Sequence, residues 1–270
     1  LVTGKRSYEL CGAKDALDRI LQGYEIIRFS DLQENPRMED VEKGIEDFRK
    51  LNPDVMIAVG GGSAIDTAKL VNLLAAQNHD ARQCLSDVQM IESKPKPLIA
   101  IPTTSGSGSE ATHFAVVYVD GQKKSVAHEY VLPDAAIIDP ALTMSLPKSI
   151  TASTGIDALS QAIESYWCIN STEESKEISR KAIRLIMDNL KSTANNPSKE
   201  SRTAMAEASN LAGKAINITK TTAPHAISYS FTTYYQIPHG HAVGLTLGKI
   251  LEFNAGVTEE DCNDPRGADH

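Results

Sequence analysis

The chain has 270 residues, 41% of them hydrophobic, and a formal net charge of −8 at pH 7. That length leaves room for a large core and favours two domains over one, while an acidic balance without a long basic run argues against nucleic acid as a partner. No apolar stretch approaches the roughly 20 residues of a membrane span and no signal-peptide pattern opens the chain; Cys11, Cys84, Cys168 and Cys262 lie far apart without a Cys-x-x-Cys pair and read as reduced thiols of a cytoplasmic protein.

In chain order, Leu1-Val2-Thr3 reads as the tail of a strand, and with no initiating methionine the chain is expected to be a fragment. A turn through Gly4, Lys5 and Arg6 follows, whose glycine and two cations suit an anion, and then a helical pattern through Ala16, Leu17, Ile20 and Leu21. Tyr24 to Phe29 predicts another strand, and Met38 to Leu51 an amphipathic helix through Val41, Ile45 and Phe48. The apolar run Val55 to Val59 then meets Gly60, Gly61, Gly62 and Ser63 and a helical pattern to about Ala76. Strand, tight glycine turn and helix make a phosphate cradle, because glycines let an anion approach the backbone N–H groups and the first helical turn adds unpaired donors. A glycine connection made only for packing is the plainer alternative. Ser63 with Asp66 three residues later has the form of a capping box fixing the helix start. The contiguous glycines match neither a Walker A loop nor Gly-x-Gly-x-x-Gly.

The strand Pro97 to Ile101 leads into Pro102 to Thr112, a loop dense in hydroxyls and glycine at the place where open α/β sheets bind ligands. Val116 to Val119 and Lys124 to His128 predict a hairpin with Asp120-Gly121 near its turn, and Ala135 to Pro140 closes the sheet-forming half. Strands alternating with helices at this spacing mean parallel β-α-β units, so residues 1–146 are assigned to an α/β domain, which the resemblance given below makes dinucleotide-binding. From Pro147 the periodicity is helical over 150–167, 172–191 and 202–217, and residues 147–270 form a helical domain. Within it Asp157 and Gln161, four apart, share one helix face, and His225 and His239 follow. A carboxylate with two imidazoles, completed by an amide oxygen, is a ligand set for a divalent transition metal. Spacing alone leaves equally open that these are ordinary polar or core histidines. Glu110 reads as structural and Glu164 as part of the helix face.

These motifs together resemble the iron-containing, group III alcohol dehydrogenases. The resemblance rests on Gly-Gly-Gly-Ser-x-x-Asp-x-x-Lys at 60–69, Thr-Thr-x-Gly-x-Gly-Ser-Glu-x-Thr at 103–112, Asp-Pro at 139–140, Gly-x-Asp-Ala-Leu-x-x-Ala-Ile-Glu at 155–164, and His225 with Pro238-His239-Gly240. It implies the two-domain fold shared with dehydroquinate synthase, a parallel α/β nucleotide-binding domain followed by an all-helical metal-binding and catalytic domain shorter here than usual. It further implies pyrophosphate at Gly61, Gly62 and Ser63, with Asp66 nearby. Ribose and nicotinamide would lie along Thr103, Thr104 and Ser107 with Lys124 in contact, and the metal on Asp157, Gln161, His225 and His239, Fe(II) first and Zn(II) second. The acidic residue that commonly ends the family's first strand is replaced by Gly4, with Lys5 and Arg6 beside it, which favours NADPH over NADH. Most members carry histidine where this chain has Gln161, and many carry histidine where it has Tyr229.

The implied reaction is hydride transfer between NAD(P)H and a small aldehyde or primary alcohol in a cytoplasmic homodimer, with Asp157, His225 and His239 as the catalytic set. Ala-Thr-His-Phe-Ala-Val-Val at 111–117 together with Gln161 resembles the phosphonoacetaldehyde reductase branch of the family, which implies a phosphonate held in part by His113, Ser105 and Thr112; the plainer alternative for His113 is a packed strand residue. Two other readings stay open: a lyase similar to dehydroquinate synthase, and a nucleotide-binding relative without turnover.

Overall fold

A computed structural model describes residues 1–33 and 35–268. Contacts divide the chain into two compact units, one of Leu1–Thr104 with Ser109–Leu146 and one of Ser105–Gly108 with Pro147–His270.

The first unit is α/β. In chain order it holds β1 (Val2–Thr3), α1 (Ser7–Leu10), α2 (Ala13–Ile20), α3 (Met38–Leu51), β2 (Met56–Gly60), α4 (Gly62–Ala75), α5 (Ala81–Ser86), β3 (Leu98–Pro102), β4 (Phe114–Val119), β5 (Gln122–Ala127) and β6 (Ala135–Ala136). β1, β2, β3 and β6 pair in that order, all in parallel, and the register Met56 to Leu98 through Gly60 to Pro102 brings the ends of β2 and β3 level. The glycine turn and the hydroxyl-rich loop therefore leave the sheet side by side. α4 is buried along most of its length, with Ile65, Leu70, Leu73 and Leu74 at 1% exposure or less, as expected of a helix apolar nearly all round. α3 covers it with Val41, Ile45 and Phe48 and ends on Asn52 in the left-handed conformation. β4 and β5 form the antiparallel hairpin, its turn made by Asp120 (φ 51°) and Gly121 (φ 77°), a pair of positive φ values that matches the twist of the flanking strands.

Two local expectations change. The segment from Tyr24 to Phe29 is not a strand: only Phe29 bridges β1, through Thr3 N to Phe29 O at 3.0 Å and Phe29 N to Leu1 O at 2.8 Å, and Tyr24, Ile26 and Ile27 are exposed, so its apolar pattern has no burial to hold a ladder. The capping box of Ser63 and Asp66 does not form either. The N-cap lies two residues earlier, at Gly61, with α4 starting at Gly62 and no side-chain cap, because Ser63 Oγ instead accepts from Asn35 N at 3.3 Å and Asp66 is engaged elsewhere.

The second unit is helical: α6 (Lys148–Trp167), α7 (Glu173–Asn195), α8 (Lys199–Thr219), α9 (Ala223–Tyr235) and α10 (His239–Ala255). Reciprocal serine and threonine caps start α7 (Thr172 with Ser175) and α8 (Ser198 with Ser201). α6 is the axis, packed against all four others. Its Ala158 and Ala162 meet Ala182, Ile186, Met205, Ala208 and Ala212, small residues that let the helices approach closely. Ser105–Gly108 are held here by backbone against backbone. A Cβ on Gly108, whose φ is +60°, would fall 2.5 Å from Gly213 Cα on α8, so neither glycine tolerates a side chain.

Candidate metal centre and cofactor cradle

Asp157, Gln161 and Glu164 stand at i, i+4 and i+7 on α6, a polar stripe on one face of the central helix. All three are buried, at 6%, 4% and 0% exposure. Opposite them α9 brings His225 on its first turn and α10 begins with His239. One ligand atom from each of Asp157, His225 and His239 lies within 4.8 Å of the others. His225 Nε2 is 3.2 Å from Asp157 Oδ1, and its Nδ1 hydrogen-bonds Glu164 Oε1. The His225 and His239 rings meet edge-on at 5.5 Å, and Tyr229 lies nearly parallel to His239 at 6.3 Å as a wall of the cluster.

Burial lowers the pKa of His225, but hydrogen bonds and charge from Asp157 and Glu164 outweigh it and carry it up to about 9. A proton therefore occupies Nε2 until something stronger replaces it, as a metal ion does when it displaces a ligand's proton. Gln161 Nε2 donates to the carbonyl of Ser107 at 3.2 Å, which fixes the amide orientation, and its Oε1 is buried without a hydrogen-bond partner. An orphaned buried carbonyl beside a carboxylate and two imidazoles fits a metal ion, since a bound cation satisfies an oxygen that costs free energy when left unpaired. Glu164 is the residue that sequence reading missed as a member of the site. It lies on the same helix face as Asp157 and Gln161, as expected, and there it partners His225.

In the α/β unit, Thr103 N donates to Gly60 O at 2.9 Å, and a Cβ on Gly61 would lie 3.4 Å from both Thr104 Cγ2 and Oγ1. Gly61, Gly62, Ser63, Thr103 and Thr104 thus form one surface around the N-terminus of α4. The hydroxyl of Thr103 is buried and unpartnered, a second orphan suited to a ligand. Asp66 departs from its expected contact with a cofactor. Its two oxygens accept from Ser109 Oγ and from Val116 N at 3.0 Å, so it holds the loop in place from within. Lys69, 1% exposed, does the same with three bonds, to Thr112 O at 2.9 Å, Thr112 Oγ1 at 3.1 Å and Phe114 O at 3.0 Å. Glu110 is buried within range of the same ammonium. Thr112, 1% exposed and consumed by Lys69, is thereby removed from the residues expected to hold a phosphonate.

The other expected residues are less concentrated. His113 precedes β4 with its ring edge-on to Phe114 at 5.6 Å. Lys124 lies on β5 opposite Val117, and Ser107 contributes its carbonyl to Gln161. At the end of β1, Gly4 N donates to Val59 O at 3.3 Å. Lys5 is already paired with Asp31 at 2.9 Å, which weakens it as a free cation, while Arg28 crosses the same turn with bonds to Thr3 Oγ1 (2.8 Å) and the carbonyls of Gly4 and Lys5.

Compared with known proteins, residues 1–140 match the family model "Iron-containing alcohol dehydrogenase", and residues 151–265 match "Fe-containing alcohol dehydrogenase family, C-terminal". The long-chain-alcohol dehydrogenase 1 of Geobacillus thermodenitrificans is 38% identical over 235 residues, which is 86% of this chain and 60% of that protein. The phosphonoacetaldehyde reductase of Streptomyces viridochromogenes is 35% identical over 232 residues, 83% of this chain and 59% of that protein. The chain thus spans about three-fifths of the length of these relatives. Among solved structures, the sulfoacetaldehyde reductase of Bifidobacterium kashiwanohense in complex with NAD+ superposes with a TM-score of 0.89 at 33% identity, over 99% of this chain and 73% of that one.

Proposed function

This chain belongs to the iron-containing alcohol dehydrogenase family, and from that premise we propose that it is a metal-dependent oxidoreductase that moves a hydride between a nicotinamide cofactor and a small aldehyde or primary alcohol. The observation that carries the reading is the buried cluster of Asp157, His225 and His239 with the orphaned Gln161 oxygen beside it. Two imidazole nitrogens with a carboxylate and an amide oxygen are a borderline-hard donor set, suited to Fe(II) and also to Zn(II). When bound, the metal polarises the substrate oxygen as a Lewis acid and the nicotinamide supplies or accepts the hydride.

The residues of this chain supply binding and orientation. Gly61, Gly62 and Ser63 offer backbone donors and the positive end of α4 to a pyrophosphate. Thr103 and Thr104 offer hydroxyls to the remainder of the cofactor, and Lys124 is retained as a candidate cofactor contact. Asp157, His225, His239 and Gln161 would hold the metal, and the Tyr229 ring lies against that of His239. NADPH is favoured over NADH by the absence of a carboxylate at Gly4 and the presence of Arg6 and Arg28, although the pairing of Lys5 with Asp31 leaves fewer free cations than the sequence counts.

The named activities of the relatives share an alcohol or aldehyde as reactant and differ in what it carries. A phosphonate-bearing aldehyde keeps His113 and the buried, unpartnered Ser105 hydroxyl as candidate donors but loses Thr112. The test is consumption of NADPH and of NADH by the chain with acetaldehyde, butanal, a long-chain aldehyde and phosphonoacetaldehyde, each with Fe(II), Zn(II) or a chelator. Metal-dependent loss of reduced cofactor with any aldehyde supports the reading, and the order of rates names the substrate class. A lyase similar to dehydroquinate synthase, or a silent relative, leaves reduced cofactor unconsumed in every arm.

A further inference from the structure

Glu164 is a buried carboxylate of the helical unit that the proposed chemistry does not use. It is fully buried, at 0% exposure, and its carboxylate receives three donors. His225 Nδ1 bonds to Oε1, while Thr222 N at 2.5 Å and Thr222 Oγ1 at 2.9 Å bond to Oε2. Behind Thr222 stands Trp167, whose Nε1 donates to the same hydroxyl at 2.9 Å. Thr222 is the N-cap of α9 and His225 lies on that helix's first turn. One carboxylate thus fixes both where α9 begins and how the imidazole on it is turned.

We infer that Glu164 is a positioning residue of the metal centre, holding the Nδ1–H of His225 so that the Nε2 lone pair is the one presented to the metal beside Asp157 and His239. The inference rests on the metal reading above. A neutral imidazole carries one N–H and one lone pair. An acceptor-only group against Nδ1 therefore leaves Nε2 as the ligand atom, and negative charge behind the ring strengthens it as a donor. Glu164→Gln keeps the shape but cannot keep the pattern. An amide has one accepting oxygen, and the group faces donors on both sides. If its oxygen stays with Thr222, its NH2 meets His225 Nδ1 and drives the proton to Nε2, which blocks the ligand position. If it turns the other way, the start of α9 loses its anchor.

The experiment measures binding of Co(II) to the whole chain, by chelator competition and by the visible absorption of the bound ion, in wild type, Glu164→Gln and Trp167→Phe. The expected result is a 10- to 100-fold weaker Co(II) affinity in Glu164→Gln with displaced absorption bands. Trp167→Phe, which removes only the outermost hydrogen bond, should keep both. Wild-type affinity and bands in Glu164→Gln would overturn the positioning role while leaving the metal centre standing. A wild-type chain that binds no Co(II) would overturn the metal reading itself, and the inference with it. Should Glu164→Gln fail to fold, the nitrogen-15 spectrum of His225 in Zn(II)-loaded wild type decides: a protonated Nδ1 carries the inference, and a protonated Nε2 overturns it.

Discussion

At the scale of single residues, the metal cluster makes unequal demands on its members. Asp157 and the two histidines bring charge or strong nitrogen donors, whereas Gln161 brings a neutral oxygen whose amide is already tied to Ser107. Asp157→Ala and His239→Ala should therefore abolish bound metal in elemental analysis, and Gln161→Ala should weaken binding by about tenfold. Stoichiometric metal in His239→Ala would remove that histidine from the set. Gly4→Asp should move cofactor preference toward NADH, read as the ratio of kcat/KM for the two cofactors, because a carboxylate there repels a 2′-phosphate. That Asp157, His225 and His239 would converge was legible because the motifs that carry them are specific in type and spacing. Glu164 was not, since a glutamate near a helix end ordinarily faces water, and only the packing of α9 on α6 reveals its burial. Asp66 and Thr112 show the converse: a polar residue in a ligand-binding motif looks the same in sequence whether it faces a ligand or braces the loop that does, and here both brace the loop.

Among the elements, α4 and α10 carry their residues to the two sites, and each is fixed by a contact that one substitution can test. A Cβ on Gly240 would sit 1.9 Å from the Ser153 carbonyl oxygen and 3.0 Å from Asp157 Cβ. Gly240→Ala must therefore push the start of α10, and with it His239, away from α6. Overpacking of this kind costs about 1–3 kcal/mol, so both the thermal midpoint and the metal affinity should fall; an unchanged affinity would show that His239 is not held by this contact. In α4, burial pulls the pKa of Lys69 down from its ordinary 10.5 to about 8, against the pull of Asp66 and Glu110. Between those values the unfolded chain holds more protons than the native one, so this group makes stability rise with pH across that window. Lys69→Met should remove that part of the slope and, by taking the ammonium from the Thr112 carbonyl and from the buried Asp66 and Glu110, lower stability by on the order of 3 kcal/mol. Denaturant unfolding from pH 7 to 10 measures both. Helices α2, α3, α4, α6, α7 and α8 and the hairpin were readable from periodicity and from the Asp-Gly turn, whereas α9 and α10 were not read as separate helices. The stretch Tyr24 to Phe29 was not, because an apolar alternation specifies a strand only where a sheet and a core receive it.

For the molecule as a whole, two units of different construction carry the two candidate sites: a glycine-turned helix start beside a parallel sheet in one, and a polar stripe on a buried helix in the other. The change from alternating strands and helices to helices alone was visible at Pro147. The grouping of Ser105–Gly108 with the helical unit was not, since it depends on the close approach of Gly108 to Gly213, residues more than a hundred positions apart. Among the described residues no helix is long and apolar enough to cross a membrane. The central claim is that the Asp157, His225 and His239 cluster is a metal centre supporting nicotinamide-dependent reduction of an aldehyde. It is tested most directly by stripping the chain with a chelator and following NADPH absorbance with propanal while Fe(II) is titrated back under anaerobic conditions. The account predicts no consumption in the stripped chain and a rate that climbs with added metal to a plateau near about one ion per chain. A rate indifferent to metal, or a fully loaded chain that leaves NADPH untouched with every aldehyde, would contradict it.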